Sequence, residues 1–259
     1  MTAARLRLVL LPPIAVAIAV ALLAIWVDGQ DLDGIAIFAL TNDDRATSAS
    51  IFDHYVLTKL GEHVRIVAIS AAVVLAVGIP LGVLLTRTRS RAVSWALNGF
   101  FAAAQAAPVI GILVLLVALF GLKSWVPYVG LVIYAVLPVM SNTVEGIRNV
   151  DPALIDAARG QGFSRRQVLL RVELPLAVPI ILAGVRTSLV LLVGTATLGT
   201  FVDAGGLGDI INDGIKNQRD AVMVTGAVYA ALLAAAIDWL AAIAERWLSP
   251  RGLRPEVGR

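Results

Sequence analysis

Uncharged apolar runs long enough to cross a hydrocarbon layer recur along the whole chain, and a water-soluble domain has no interior large enough to hide them. A helix rises 1.5 Å per residue, so a bilayer core about 30 Å thick needs about 20 apolar residues in sequence. Six runs reach that length, at residues 8–27, 66–85, 98–121, 127–144, 179–202 and 221–244, and only Arg186 and Asp238 interrupt them. Backbone N–H and C=O groups find no water inside lipid, which leaves helices as the spanning element for runs of this length. With 59% hydrophobic and 15% charged residues among 259, the composition agrees. The fold expected is all-α, a polytopic membrane helix bundle of about six transmembrane helices. No repeat, linker or low-complexity tract divides it, so residues 1–259 read as a single permeation domain.

Charge placement sets the orientation, because lysine and arginine collect on the cytoplasmic side of short loops. Arg5, Arg7, Arg87, Arg89, Arg91, Arg148, Arg159, Arg165, Arg166, Arg171, Arg246, Arg251, Arg254 and Arg259 fall on one side of the six runs. Only Arg45, Lys59, Arg65, Lys123, Lys216 and Arg219 fall on the other. Both termini and residues 145–175 are therefore placed in the cytoplasm, and the acid-rich segment 28–62 outside. The net charge of +3 is read through this asymmetry and not as a nucleic-acid signal. The run at 8–27 exceeds a signal-peptide core, and Ala24-Ile25-Trp26 lacks the small-x-small cleavage pattern, so it is expected to stay as an anchor. Trp26, Trp125 and Trp247 fall at run boundaries, where indoles gather whatever the protein carries. The chain has no cysteine, which removes disulfides and thiolate metal sites.

The cytoplasmic segment 145–175 is built and not slack. Asp151 before Pro152 reads as a helix start, an Asx oxygen capping the first turn and proline occupying a position that needs no N–H. Gly160 and Gly162 break that helix. Ser164 with Gln167 forms a capping-box pattern opening a second short helix, which Pro175 is expected to stop before the next apolar run. A polar helix-turn-helix facing the cytoplasm suits docking of a soluble partner.

The chain carries no engine of its own. No Gly-x-x-x-x-Gly-Lys-Ser/Thr phosphate loop occurs, and no row of membrane acids forms a proton relay. Gly205-Gly206-Leu207-Gly208 lacks the lysine of a phosphate loop and reads as a tight external turn. His54 and His63, nine residues apart and also external, have no companion ligands. Asn98, Gln105 and Pro108 inside the long uncharged stretch 92–122 announce a kink or a partly interfacial half, either lining a pathway or satisfied by neighbouring helices. Counted from Leu176, Arg186 lies ~15 Å along its helix, where a charge faces a partner or an aqueous cavity. The alternative is a shallow placement from which it snorkels or pairs with a loop acid. Asp238 is expected at the cytoplasmic interface.

On Asp156, Ala157, Ala158, Gly162, Val172, Leu174 and Pro175 the chain resembles the integral permeases of ATP-binding-cassette importers. Their cytoplasmic motif reads Glu-Ala-Ala, three residues, Gly, nine residues, Ile, one residue, Leu-Pro. The spacing is kept, with Asp156 in place of glutamate and Val172 in place of isoleucine. Ile79-Pro80-Leu81-Gly82, Tyr134 to Pro138, Asn142-Thr143, Val150-Asp151-Pro152 and Ala183 to Thr187 extend the resemblance to the permeases for glycine betaine, choline, carnitine and related osmoprotectants. So do Gly194-Thr195-Ala196-Thr197 and Gly205 to Gly208, and the match covers roughly residues 61–253. Departures fall at Gln105-Ala106-Ala107-Pro108-Val109 and at Ser141, positions that bear on the solute.

The resemblance implies a non-enzymatic subunit working by alternating access, with ATP and magnesium bound on separate ATPase chains and no cofactor here. It implies a second permease copy or paralogue and an external solute-binding protein. The helix around Ala157 and Ala158 would sit in a cleft of the ATPase. Gln105, Asn142, Arg186, Thr195 and Thr197 are the candidates for the translocation path. A methionine or sulfonate importer, and more remotely a secondary transporter or channel, are the alternatives.

Overall fold

The computed structural model describes residues 45–88 and 90–248, and every regular element among them is helical. The run at 8–27 and the two termini lie outside the described residues. Helix α1, Arg45–Arg87, is a single helix of 43 residues. The acid-rich segment expected outside the membrane, 28–62, therefore divides, because its second part from residue 45 belongs to α1. No proline interrupts α1 before Pro80, and Lys59 and Glu62, one turn apart, neutralise each other at 2.9 Å.

Ser90 opens α2, Arg91–Ala106, its side chain accepting from the Val93 N–H. Ala107 is extended (φ −74°, ψ 149°), the conformation favoured before proline, and Pro108 then opens α3, Val109–Phe120. The expected kink is in fact a break: α2 and α3 meet at 105°. Four described helices are each long and apolar enough to cross a membrane, or five spans if this bent pair counts as one.

Helix α4, Val126–Arg148, is the centre of the bundle, with Leu131, Ala135 and Val139 fully buried. One face of it meets Ile66, Val67, Ala71 and Val74 of α1, and an adjacent face meets Leu192, Val193 and Ala196 of α7, Leu174–Ala196. Glycines allow the backbones to close. A side chain at Gly82 would lie 2.8 Å from the Met140 carbonyl oxygen, and one at Gly184 would lie 2.5 Å from the Pro138 oxygen. Gly130 gives way to Leu113 of α3 and Gly146 to Ala177 of α7 in the same manner. In a lipid solvent helices gain nothing by hiding apolar surface from water, so close packing at small residues supplies the adhesion. Ser188 adds one polar tie, its hydroxyl donating to the Ala135 carbonyl at 2.7 Å.

Between α4 and α7 lie α5, Pro152–Gly160, the single turn α6, Arg165–Val168, and a π-turn, Leu169–Glu173. After α7 come a 3-10 turn, Thr197–Val202, then α8, Leu207–Lys216, and α9, Asp220–Leu248. Leu233, Ala234 and Ile237 of α9 pack onto the α1–α4–α7 core.

Gly82→Ala and Gly184→Ala should each lower stability by about 1–3 kcal/mol through overpacking. Gly61→Ala, where nothing lies within 4 Å, should be neutral or stabilising. Thermal unfolding midpoints in detergent check the contrast, and equal effects at all three positions would contradict it.

Candidate functional site

Residues 151–175 form the helix-turn-helix with the expected caps. The Asp151 carboxylate accepts from the Ala153 N–H at 2.8 Å, and Pro152 sits in the first turn of α5. Gly162 then closes the helix with φ +85°. The Gly162 N–H donates to the Arg159 oxygen at 2.9 Å and the Phe163 N–H to the Ala158 oxygen at 3.1 Å, the paired bonds of a glycine-terminated helix end. Ser164 and Gln167 complete the reciprocal capping box of α6.

The outward face of this hairpin is narrower than its motif. Ala157 and Asp156 are exposed and Leu154 is 48% exposed, whereas Ala158 is 5% exposed and packs inward. Ala157 and Leu154 thus stand on the open face of the hairpin, and Ala158 is turned away from it. Arg159 lies 3.6 Å from Asp156, a screened surface pair worth little.

Pro175 does not stop the second arm. The Leu174 N–H reaches back to the Leu169 oxygen across the π-turn, and residues 165–202 run as one helix of 38 residues. A π-turn moves the hydrogen-bond register by one residue, so the missing N–H of Pro175 falls where the regular pattern is already interrupted. The docking arm and α7 are consequently one rod. Glu173, on the π-turn and buried, forms an ion pair with Arg87 at the end of α1, including a bond from Arg87 Nη1 to Glu173 Oε1 of 3.3 Å.

On another face of α7, a groove of about 710 Å³ opens between α7 and α9, lined by Ala183, Arg186, Thr187, Val190, Leu191, Gly194, Thr195, Asp238 and Glu245. Arg186 grips Asp238 with both prongs of its fork, Nε to Oδ1 at 2.5 Å and Nη2 to Oδ2 at 2.6 Å. The partner of Arg186 is therefore an acid of a neighbouring helix and not of a loop. Of the path candidates, Arg186 and Thr195 line this groove. Thr197 lies beyond Thr195 and donates to the Gly194 oxygen at 2.7 Å. Asn142 is turned to the α4–α7 contact, where its amide donates to the Pro138 oxygen at 2.8 Å beneath Gly184. Gln105 belongs to α2 and is not among the groove residues.

At the far end of α7, Gly205 (φ +82°) and Gly206 (φ +88°) bring the chain flat onto α1, and a side chain at Gly206 would lie 2.9 Å from His63 Nδ1. His63 is fully buried and bonded on both ring nitrogens: Nδ1 accepts from the Leu207 N–H at 3.3 Å, and Nε2 lies 3.1 Å from the Val193 oxygen, to which the neutral tautomer donates. Lys59 joins the same junction through Asp209 at 2.8 Å, and Asp209 accepts from the Thr200 hydroxyl at 2.6 Å. The glycine run is a tight turn as expected, and its partner is this chain's own α1. No cluster of three or more metal-ligating side chains occurs among the described residues.

The profile of the family described as binding-protein-dependent transport system inner membrane component matches residues 78–250, the region holding the hairpin, the rod and the groove. The chain belongs to this family. Among its relatives, the permease is 39% identical over 198 residues to the glycine betaine/carnitine/choline transport system permease protein OpuCB of Bacillus subtilis (strain 168), covering 76% of this chain and 90% of that one. It has the same identity and coverage with the choline transport system permease protein OpuBB of the same strain. In fold it is similar to the inward-facing MetNI methionine ABC transporter, with a TM-score of 0.67 at 23% identity, covering 76% of the permease and 97% of that chain.

Three residues of the permease take structural parts that their sequence setting did not reveal. Glu173 occupies the open position of the motif before Leu174, and its one signal was an acid beside two apolar residues and a proline. His63 looked like an isolated external histidine, and the partner that explains it is a glycine turn more than 140 residues away. Asp238 is remote in sequence from Arg186, so their pairing had no local signature.

Arg87→Ala should strand the buried Glu173 carboxylate and loosen the docking arm. Trypsin cleavage after the exposed Arg165 and Arg166 should accelerate about fivefold, as an opening free energy lowered by ~1 kcal/mol implies. An unchanged cleavage rate would show that the Arg87–Glu173 pair does not hold the arm.

Proposed function

We propose that this permease is the transmembrane subunit of an ATP-binding-cassette importer that carries osmoprotectants such as glycine betaine, choline or carnitine. The observation that carries the reading is identity of 39% to relatives named for those solutes, over 90% of their length. A methionine cargo has only a likeness of fold at 23% identity in its favour, which says nothing of the solute.

In this reading the hairpin from Asp156 to Pro175 lies in the cytoplasm, as both termini do, and enters a cleft on a separate ATPase chain. Leu154 and Ala157 face that cleft, and Gly162 sets the angle at which the hairpin stands. ATP and magnesium bind the ATPase, since this sequence has no phosphate loop. Closure of two ATPase chains pushes the hairpin, and the push reaches α7 without a joint because the second arm and α7 are one helix. A second permease, identical or paralogous, completes the passage, and an external binding protein delivers the solute. Arg186, Thr195 and Thr197 belong to the passage; Asn142, packed in the α4–α7 contact, and Gln105, on α2, lie away from the groove.

Gly162→Asp tests this directly. The residue's φ of +85° disfavours any side chain, and the added carboxylate stands at the docking turn. Membrane insertion should be unchanged, while co-isolation of the ATPase and ATP-dependent uptake of labelled glycine betaine should fall at least about tenfold, the consequence of ~1.4 kcal/mol lost at the contact. Full uptake in this variant, or equal uptake by vesicles holding the permease without an ATPase, would overturn the reading.

A further inference from the structure

We propose, resting on the permease reading above and deepening it, that the Arg186–Asp238 pair is a solute subsite that opens to receive a net-neutral zwitterion. Arg186 takes the solute's carboxylate and Asp238 faces its quaternary ammonium. Arg186 stands twelve residues into α7, ~18 Å from its start, and Asp238 stands eighteen residues into α9, ~27 Å from its start. Charges at such depth do not face lipid; they face a protein partner or water. Yet both side chains are 39% exposed, on the open side of the groove. The pair is therefore open on its groove side in this chain.

The chemistry of the groove narrows the occupant. Its volume of about 710 Å³ exceeds what the ion pair fills, and Ala183, Val190, Leu191 and Gly194 give it small or apolar walls suited to methyl groups. The two charges are satisfied chiefly by each other. Separating them in a groove walled largely by small and apolar side chains is costly unless each acquires a substitute at once. A zwitterion carries both substitutes on one small body. Its carboxylate matches the guanidinium fork, and its methylated ammonium needs a nearby charge but no hydrogen bond. A lone cation leaves the Arg186 fork without a bidentate carboxylate, and a lone anion leaves Asp238 uncompensated. Glu245, seven residues beyond Asp238 and ~10 Å along α9, lines the same groove and adds a longer-range attraction on Arg186, but the guanidinium fork is held by Asp238.

The chain's lack of cysteine makes Thr187→Cys, one residue from Arg186 and in the groove, the sole thiol of the permease. Its alkylation by a maleimide is followed in the nucleotide-free complex with the ATPase, without binding protein. The probes, at equal concentration, are glycine betaine, choline, and 3,3-dimethylbutanoate, which has the shape of betaine without the positive charge. Protection grows as 1 + [L]/Kd, so betaine several times above its dissociation constant should slow alkylation about fivefold, with choline and dimethylbutanoate leaving it near its free rate. Adding Arg186→Gln and Asp238→Asn, which keeps a hydrogen-bonded pair without charge, should abolish the protection. If that double variant does not assemble, Arg186→Lys, charged but without the fork, should weaken protection by betaine. Equal protection by all three probes, none by betaine, or full protection in the uncharged variant overturns the subsite. Such a result alongside ATP-dependent betaine uptake that still fails in Gly162→Asp sinks the subsite alone and leaves the permease reading standing.

Discussion

Everything in this chain hangs on how closely the backbones of α1 and α7 approach α4. Gly82 and Gly184 remove the side chains that would strike Met140 and Pro138, and the two neighbours then close on adjacent faces of α4 and on each other. The adhesion is van der Waals contact, short in range and intolerant of added volume, which is why it falls at glycines and alanines and not at large apolar residues. Leu131, Ala135 and Val139 are sealed as a result. With α7 fixed to α4 on one face, its remaining surface is free to carry the groove shared with α9.

The same helix links the two ends of the molecule. From Arg165 to Val202 the chain is continuous, and it is pinned to α1 at each end by polar contacts. Near its start Glu173 meets Arg87, and near its finish His63 of α1 takes the Val193 oxygen and the Leu207 N–H. A rod held at two points transmits displacement along its length with little bending. The π-turn, which by itself interrupts the regular ladder, lies where the Arg87–Glu173 pair supports it. The Arg186 groove lies between the two pins, so in the proposed reading the face that would meet solute is carried on the same helix as the arm that would dock.

Much of this was legible from one dimension. Apolar run length identified the spanning helices because the bilayer imposes it, and caps such as Asp151-Pro152 and Ser164 with Gln167 announced themselves because capping is a matter of residues three or fewer apart. Spacing of Asp156, Ala157, Ala158, Gly162, Val172, Leu174 and Pro175 carried the family. Proline misled at Pro175, where a π-turn absorbs what an α-helix would not. Pro108 was read as marking a kink or a partly interfacial half, and the chain breaks there by 105°. Acidic composition placed 28–62 outside without giving its secondary structure, and from residue 45 it is helical, with Lys59 and Glu62 paired at i and i+3. What stayed hidden were contacts between distant residues. Arg186 with Asp238 is 52 residues apart and His63 with Leu207 is 144, and neither leaves a periodic trace.

The central claim is that docking arm and groove lie on one rigid helix. With no native cysteine to compete, Arg166→Cys and Val190→Cys place two spin labels on that helix, ~36 Å apart along its axis. Their distance distribution, measured by pulsed electron-spin resonance in lipid nanodiscs on the complex with its ATPase, should be the same with and without ATP. A shift of about one helical turn, ~5 Å, between the two conditions would show that the rod bends at its π-turn and would contradict the account.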